Sequence, residues 1–130
     1  MKLLFVLFLT ALSVGCGYSK HTTPVQPGTM PTIAQLVPNN ANNSTNGGGV
    51  AFTLEVDGTN FAAKAVINFN GAAMTTTWVS AAKLTTMIPA TAIMNKGTVP
   101  VTVTNPATPG GIYGGGTSAA TSAPMNFTIN

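Results

Sequence analysis

One cysteine, Cys16, stands in a chain of 130 residues. No disulfide can form within the chain, so the fold cannot be stapled and must rest on packing. Arginine is absent, acids number two (Glu55 and Asp57), and the basic residues are Lys2, Lys20, Lys64, Lys83 and Lys96. The net charge of +3 thus comes from isolated lysines, not from a basic patch. Binding to a phosphate backbone needs clustered positive charge, and base edges are read most often by arginine. Nucleic acid is excluded as a partner on both counts.

Catalytic inventory is equally sparse. Acid–base work on two carboxylates needs both at one substrate bond. Glu55 and Asp57 lie two apart, on one face of a strand, and read as a solvated face running into an Asp57-Gly58 turn. His21 is the one imidazole; it falls in a proline-rich linker, so a Ser-His-Asp arrangement would have to recruit a linker residue. Calcium takes several oxygen ligands, and two carboxylates with no third are a poor start. Gly110–Gly116, GGIYGGG, lacks the Lys-Ser/Thr ending and the following helix of a phosphate loop. The expectation is no enzyme, no cofactor and no metal.

What the chain does have begins at its N-terminus. Lys2 precedes an apolar run of about a dozen residues, too short for a permanent span of about 20 but fitting the core of a secretory signal. The stretch Leu12-Ser13-Val14-Gly15-Cys16 resembles the lipobox of bacterial lipoproteins. Gly15 fits the position before the cysteine, whereas Ser13 stands where leucine is usual. That resemblance implies a signal peptide over 1–15, acylation of Cys16, and membrane lipid as partner. Its placement is the bacterial cell envelope, at the outer membrane or cell surface. The alternative is ordinary cleavage near Gly15–Gly17, giving a periplasmic or secreted protein. Residues 16–30, with Pro24 and Pro27, read as a flexible tether, leaving 31–130 as a single domain.

Beyond Pro31 the pattern has period two, broken by turn residues, which predicts an all-β domain. Strands are expected at 32–37, 50–56, 65–71, 75–79, 84–88, 99–103 and 125–129. Their inward rows are Val50/Phe52/Leu54/Val56, Ala65/Ile67/Phe69, Val99/Val101/Val103 and Met125/Phe127/Ile129. Asn70-Gly71 is a tight-turn signal, Phe61 an inward anchor, and 90–96 a single helical turn. Pro100 implies an edge or a bulge, because it has no N–H to give a ladder. The glycine-rich stretch 39–49 reads as loop. Seven amphipathic strands and no long helix predict two sheets face to face, an immunoglobulin-like β-sandwich.

The order of these pieces resembles the IPT/TIG domain. Pro31-Thr32-Ile33…Leu36…Pro38 matches its first strand, and Gly48-Gly49…Phe52…Gly58-Thr59-Asn60-Phe61 its second strand and turn. Residues 65–71, Trp78, Ile88-Pro89, 97–106 and Phe127-Thr128-Ile129 follow in order. The resemblance implies a non-enzymatic surface module for adhesion, assembly or spacing, with a protein or a glycan as its unidentified partner. A carbohydrate- or polymer-binding accessory domain is the alternative. DNA binding, a property of some eukaryotic members, finds no arginine here. Residues with room for a contact role are Trp78, which suits either core packing or an exposed platform, and Ile112 and Tyr113 at the tip of the Gly110–Gly116 insert. That insert and the 39–49 loop are the places where binding would ride on the sandwich.

Overall fold

A computed structural model describes residues 24–43 and 49–130. The leader at 1–15, Cys16, His21 and the middle of the 39–49 loop lie outside the described residues. Among the described residues the strands are β1 (Thr32–Val37), β2 (Asn40–Ala41), β3 (Phe52–Thr59), β4 (Val66–Phe69), β5 (Ala72–Ala73), β6 (Thr76–Ser80), β7 (Lys83–Ile88), β8 (Gly97–Asn105), β9 (Ala120–Thr121) and β10 (Met125–Ile129). The seven longer ones fall on the seven expected segments; β2, β5 and β9 are two-residue additions. One sheet has the order β1-β3-β7-β6 and the other β2-β10-β8-β4-β5, with β9 beside β8. Together they make the immunoglobulin-like sandwich that the alternation predicts.

The core lies where the inward rows meet. Leu54 and Val56 of β3 and Leu84 and Ile88 of β7 come from one sheet, Ile67 and Phe69 of β4, Val101 and Val103 of β8, and Phe127 and Ile129 of β10 from the other; all are buried. Phe127 joins the layers: its ring stacks on Phe52 across the sandwich, with centroids 5.6 Å apart. It also meets Phe69 edge-on at 5.2 Å, a favoured aromatic arrangement. Asn70 and Gly71 both take positive φ, 51° and 80°, forming the tight turn between β4 and β5. Residues Ala90–Ile93 make one 3-10 turn that buries Ile93.

Four local expectations change. Val50 is exposed and precedes β3, whose first pair with β7 is Phe52↔Ile88; the alternation runs on where the pairing does not. Asp57-Gly58 does not turn the chain but continues β3, opposite Gln35 and Ile33 of β1. The left-handed residue is Asn60, at φ 62°. Its side-chain amide donates to the Met30 carbonyl at 3.4 Å. Gly58 is required for space: a Cβ there would run into the Thr32 carbonyl oxygen and come within 2.6 Å of the Phe61 ring. Pro100 is on neither an edge nor a bulge, since β8 is central and Pro100 pairs with Asn126 of β10. On its other side β4 has already ended, and Asn70 donates its N–H to the Pro100 carbonyl at 2.9 Å. Finally, part of the 39–49 loop is structured, because Asn40 and Ala41 pair in parallel with Thr128 and Ile129.

The described part of the expected tether is joined to the domain. Gln26 donates its N–H to the Gly116 carbonyl at 3.0 Å and accepts from the Ser118 N–H at 3.0 Å. Gly28 packs so closely that a Cβ would strike the Ser118 carbonyl, and Pro31 is fully buried. The segment 26–30 thus lies against the end of the sandwich at which β1 begins.

Candidate functional site

Glu55 and Asp57 do share the outward face of β3, and β7 places Lys83 between them. Its Nζ is 2.7 Å from Glu55 Oε1 and 3.6 Å from Asp57 Oδ1. The hydrogen bond that Lys83 donates to Glu55, aided by the charge of Asp57, holds the Lys83 ammonium above its ordinary pKa. A raised folded value means that the stability it lends is fully present below the unfolded pKa of about 10.4 and is lost as pH climbs through the folded one. The unfolding midpoints of Lys83→Met and wild type should therefore differ at neutral pH and converge at the alkaline end. Added salt should narrow the gap as well, because the group is exposed. Both acids are committed to this cross-strand pair, and neither lines the clefts described below.

Trp78 lies opposite Leu84 in the β6–β7 ladder, on the core-facing side of the sheet. Yet β6 is an edge strand, so the ring lies over the rim of the core and stays 43% exposed. Its indole N–H donates to the Phe61 carbonyl at 3.2 Å, which uses its one polar handle internally.

Ile112 and Tyr113 are 93% and 90% exposed. They form the two-residue loop of a hairpin closed by reciprocal bonds between Gly111 and Gly114 at 3.1 and 2.9 Å. Further down, Thr108 and Thr117 exchange backbone bonds at 3.0 and 3.1 Å, and their hydroxyls meet at 2.8 Å. Glycine is needed at the legs: Gly114 and Gly115 have φ of 89° and 96°, and a Cβ on Gly116 would lie 2.6 Å from the Gly110 nitrogen. The tip is thus a defined hairpin, held away from the core. An open cleft of about 780 Å³ beside it is lined by Val25, Ala107–Ser118 included, and carries no charged side chain. A smaller one of about 260 Å³, near Phe69, Met74 and Met94, is likewise uncharged.

The tip and the described start of the 39–49 loop, residues 39–43, do not form one surface. Residues 39–43 follow β1 and lie beside β10, with Thr128 N–H donating to Asn39 O at 3.1 Å and Asn43 N–H to Asn130 O at 2.8 Å. The tip hairpin instead pairs with Gln26, before β1. They mark opposite ends of the sandwich, and the tip shares its end with the point where the chain joins the domain.

Asn105, two residues beyond the expected strand 99–103 and the last residue of β8, holds that end together. It is buried; its Oδ1 accepts from the Ala62 N–H at 3.0 Å. Its Nδ2 donates to the carbonyls of Thr29 at 2.9 Å and Asn60 at 2.8 Å. The available signal was register: Asn105 extends the inward row Val99, Val101, Val103, and a polar residue there must find partners inside.

Among the described residues no group of three or more His, Cys, Asp and Glu side chains comes together, and every buried side-chain nitrogen or oxygen has a hydrogen-bond partner. Nothing among curated proteins or solved structures matches the chain. The family model described as IPT/TIG domain matches residues 31–129, which takes in both sheets, the Phe61 turn, Asn105 and the tip. The chain belongs to the IPT/TIG domain family.

Proposed function

We propose that this protein is a non-enzymatic module of the bacterial cell envelope, serving adhesion, assembly or spacing and held to a membrane through a lipidated Cys16. The observation that supports this reading most is the join between linker and domain. Gln26 is paired into the base of the tip hairpin, so a lipid on Cys16 would hold the sandwich by one end and present the other, with residues 39–43, outward. With the two acids tied to Lys83, Lys64 and Lys96 are the remaining charged side chains among the described residues, leaving an outer surface poor in charge and suited to a spacer. Intact mass of the membrane-fraction protein, with and without Cys16→Ser, tests the anchor. A diacyl or triacyl increment that vanishes in the variant is expected; an unmodified soluble product from the wild type would refute it.

The carbohydrate- or polymer-binding alternative draws on the exposure of Trp78 and Tyr113. It has less behind it: Trp78 has spent its donor on Phe61, and neither ring stacks with another among the described residues.

A further inference from the structure

We infer that the Ile112-Tyr113 tip is a second membrane contact, resting in the headgroup–acyl boundary of the bilayer to which Cys16 is attached. This rests on the anchor reading above and adds a surface of the folded domain to it. Four observations carry it.

The first is position. Nine residue steps separate Cys16 from Val25, a reach of at most about 30 Å when fully extended. At Gln26 the chain is already bonded to Gly116 and Ser118, at the base of the tip hairpin. Whatever holds Cys16 therefore keeps the base of the tip hairpin within about 30 Å of the attachment point, whereas the opposite end lies a further sandwich length away along the domain.

The second is chemistry. Ile112 is a bare apolar side chain, and Tyr113 combines an apolar ring with a polar hydroxyl, the combination enriched at membrane interfaces. Val25, also exposed, lines the same cleft as both, so the linker adds its own apolar side chain beside them. Exposed apolar groups scattered singly need no explanation, but here three converge at one end.

Charge is the third. The only two acids of the chain are Glu55 and Asp57, both on β3 and both facing Lys83. The hairpin therefore offers no carboxylate to be repelled by anionic headgroups.

The fourth is construction. The hairpin is fixed by its own backbone bonds, by Gly116, where a side chain has no room, and by Gly114 and Gly115, whose positive φ disfavours one, so the pair is presented in one geometry instead of being collapsed onto the core. Two side chains alone bind lipid weakly. Once Cys16 is anchored, however, the tip meets the bilayer at high effective concentration, and weak contacts then add to residence and fix orientation.

The test uses the full chain, acylated and reconstituted into phosphatidylethanolamine–phosphatidylglycerol vesicles. In a Trp78→Phe background, Tyr113→Trp reports on the tip and Asn39→Trp on the opposite end, with brominated lipids as quenchers. Intact mass of the same samples reports acylation. Quenching several-fold greater at position 113 than at 39 is expected. Equal, weak quenching at both positions on acylated protein overturns the tip contact while leaving the anchor standing, and points instead to a protein or glycan as the occupant. An unacylated Cys16 overturns both. Should Trp78→Phe impair folding, a nitroxide on Tyr113→Cys, with Trp78 kept, reads the depth directly: lipid-like oxygen accessibility supports the contact, and water-like accessibility overturns it.

Discussion

Replacing Asn105 with leucine is expected to destabilise the domain by about 3–4 kcal/mol, although the two side chains are similar in size. The expectation comes from what leucine would leave behind. The Ala62 N–H and the carbonyls of Thr29 and Asn60 all bond to this one buried amide, and each part-buried group left unpaired costs about 1 kcal/mol, the low end of the range for buried ones. For a domain of roughly 100 residues this corresponds to a fall of ~15 °C or more in melting temperature, measurable by thermal or urea unfolding. Asn105→Asp separates donor from acceptor. The carboxylate keeps the bond from Ala62 but turns its second oxygen toward two carbonyls, and burial disfavours its charge further. Its folded pKa is thereby raised above the unfolded value of about 3.9. Stability of this variant should be best below that value and fall as pH climbs through the folded one. A stability curve for the aspartate variant that is flat across acidic pH would overturn the assignment. Because Asn105 ties Thr29 to the sandwich, both variants should also speed amide exchange at Gln26 and Ser118, loosening the tip hairpin from the linker.

Truncating Phe127 to alanine is expected to cost about 3–5 kcal/mol, the range for a buried phenylalanine. The ring is fully buried and is the common member of two aromatic contacts, to Phe52 in the facing sheet and to Phe69 beside it. The loss thus includes a cavity between the layers as well as transfer energy. Phe127→Leu should recover much of it, since most of the volume returns. Tyr113→Ala gives the contrast: at 90% exposure and clear of the core, it should shift stability by no more than about 0.5 kcal/mol. Chemical denaturation of the three variants side by side decides the point. A large loss at Tyr113 would mean that the hairpin supports the fold, and the case for its availability to an outside surface would weaken.

Much of the architecture could be read from local pattern. Leu54 and Val56, Ile67 and Phe69, and Val101 and Val103 alternate with polar residues, and alternation with one face buried admits one pleat phase. The Asn70-Gly71 turn was legible for a similar reason, as two adjacent residues tolerate positive φ there. Where strands stop was harder. Val50 continues the apolar alternation beyond the last pair of β3, and Asp57-Gly58 carries a turn signature yet is held extended by β1 and β7 on either side. Pairing partners overrode a local preference.

The candidate site divides along the same line. Exposure of Ile112 and Tyr113 could be expected from their glycine surroundings alone. The half-exposure of Trp78 could not, since its inward phase says core and only the position of β6 at the sheet edge leaves the ring uncovered. In the sequence Gly58 signals a turn, whereas its need is room for the Thr32 carbonyl and the Phe61 ring.

By itself the sequence determined the all-β class, the seven main strands, the composition of the core rows and the poverty of charge, because each is a property of residues close together in the chain. Tertiary structure decided that Asn105 gathers Thr29, Asn60 and Ala62, that Lys83 closes over both acids, and that the linker joins the domain beside the tip. Each of these depends on segments far apart in sequence meeting in one register, and that register is selected by packing two whole sheets against each other, which no local window contains.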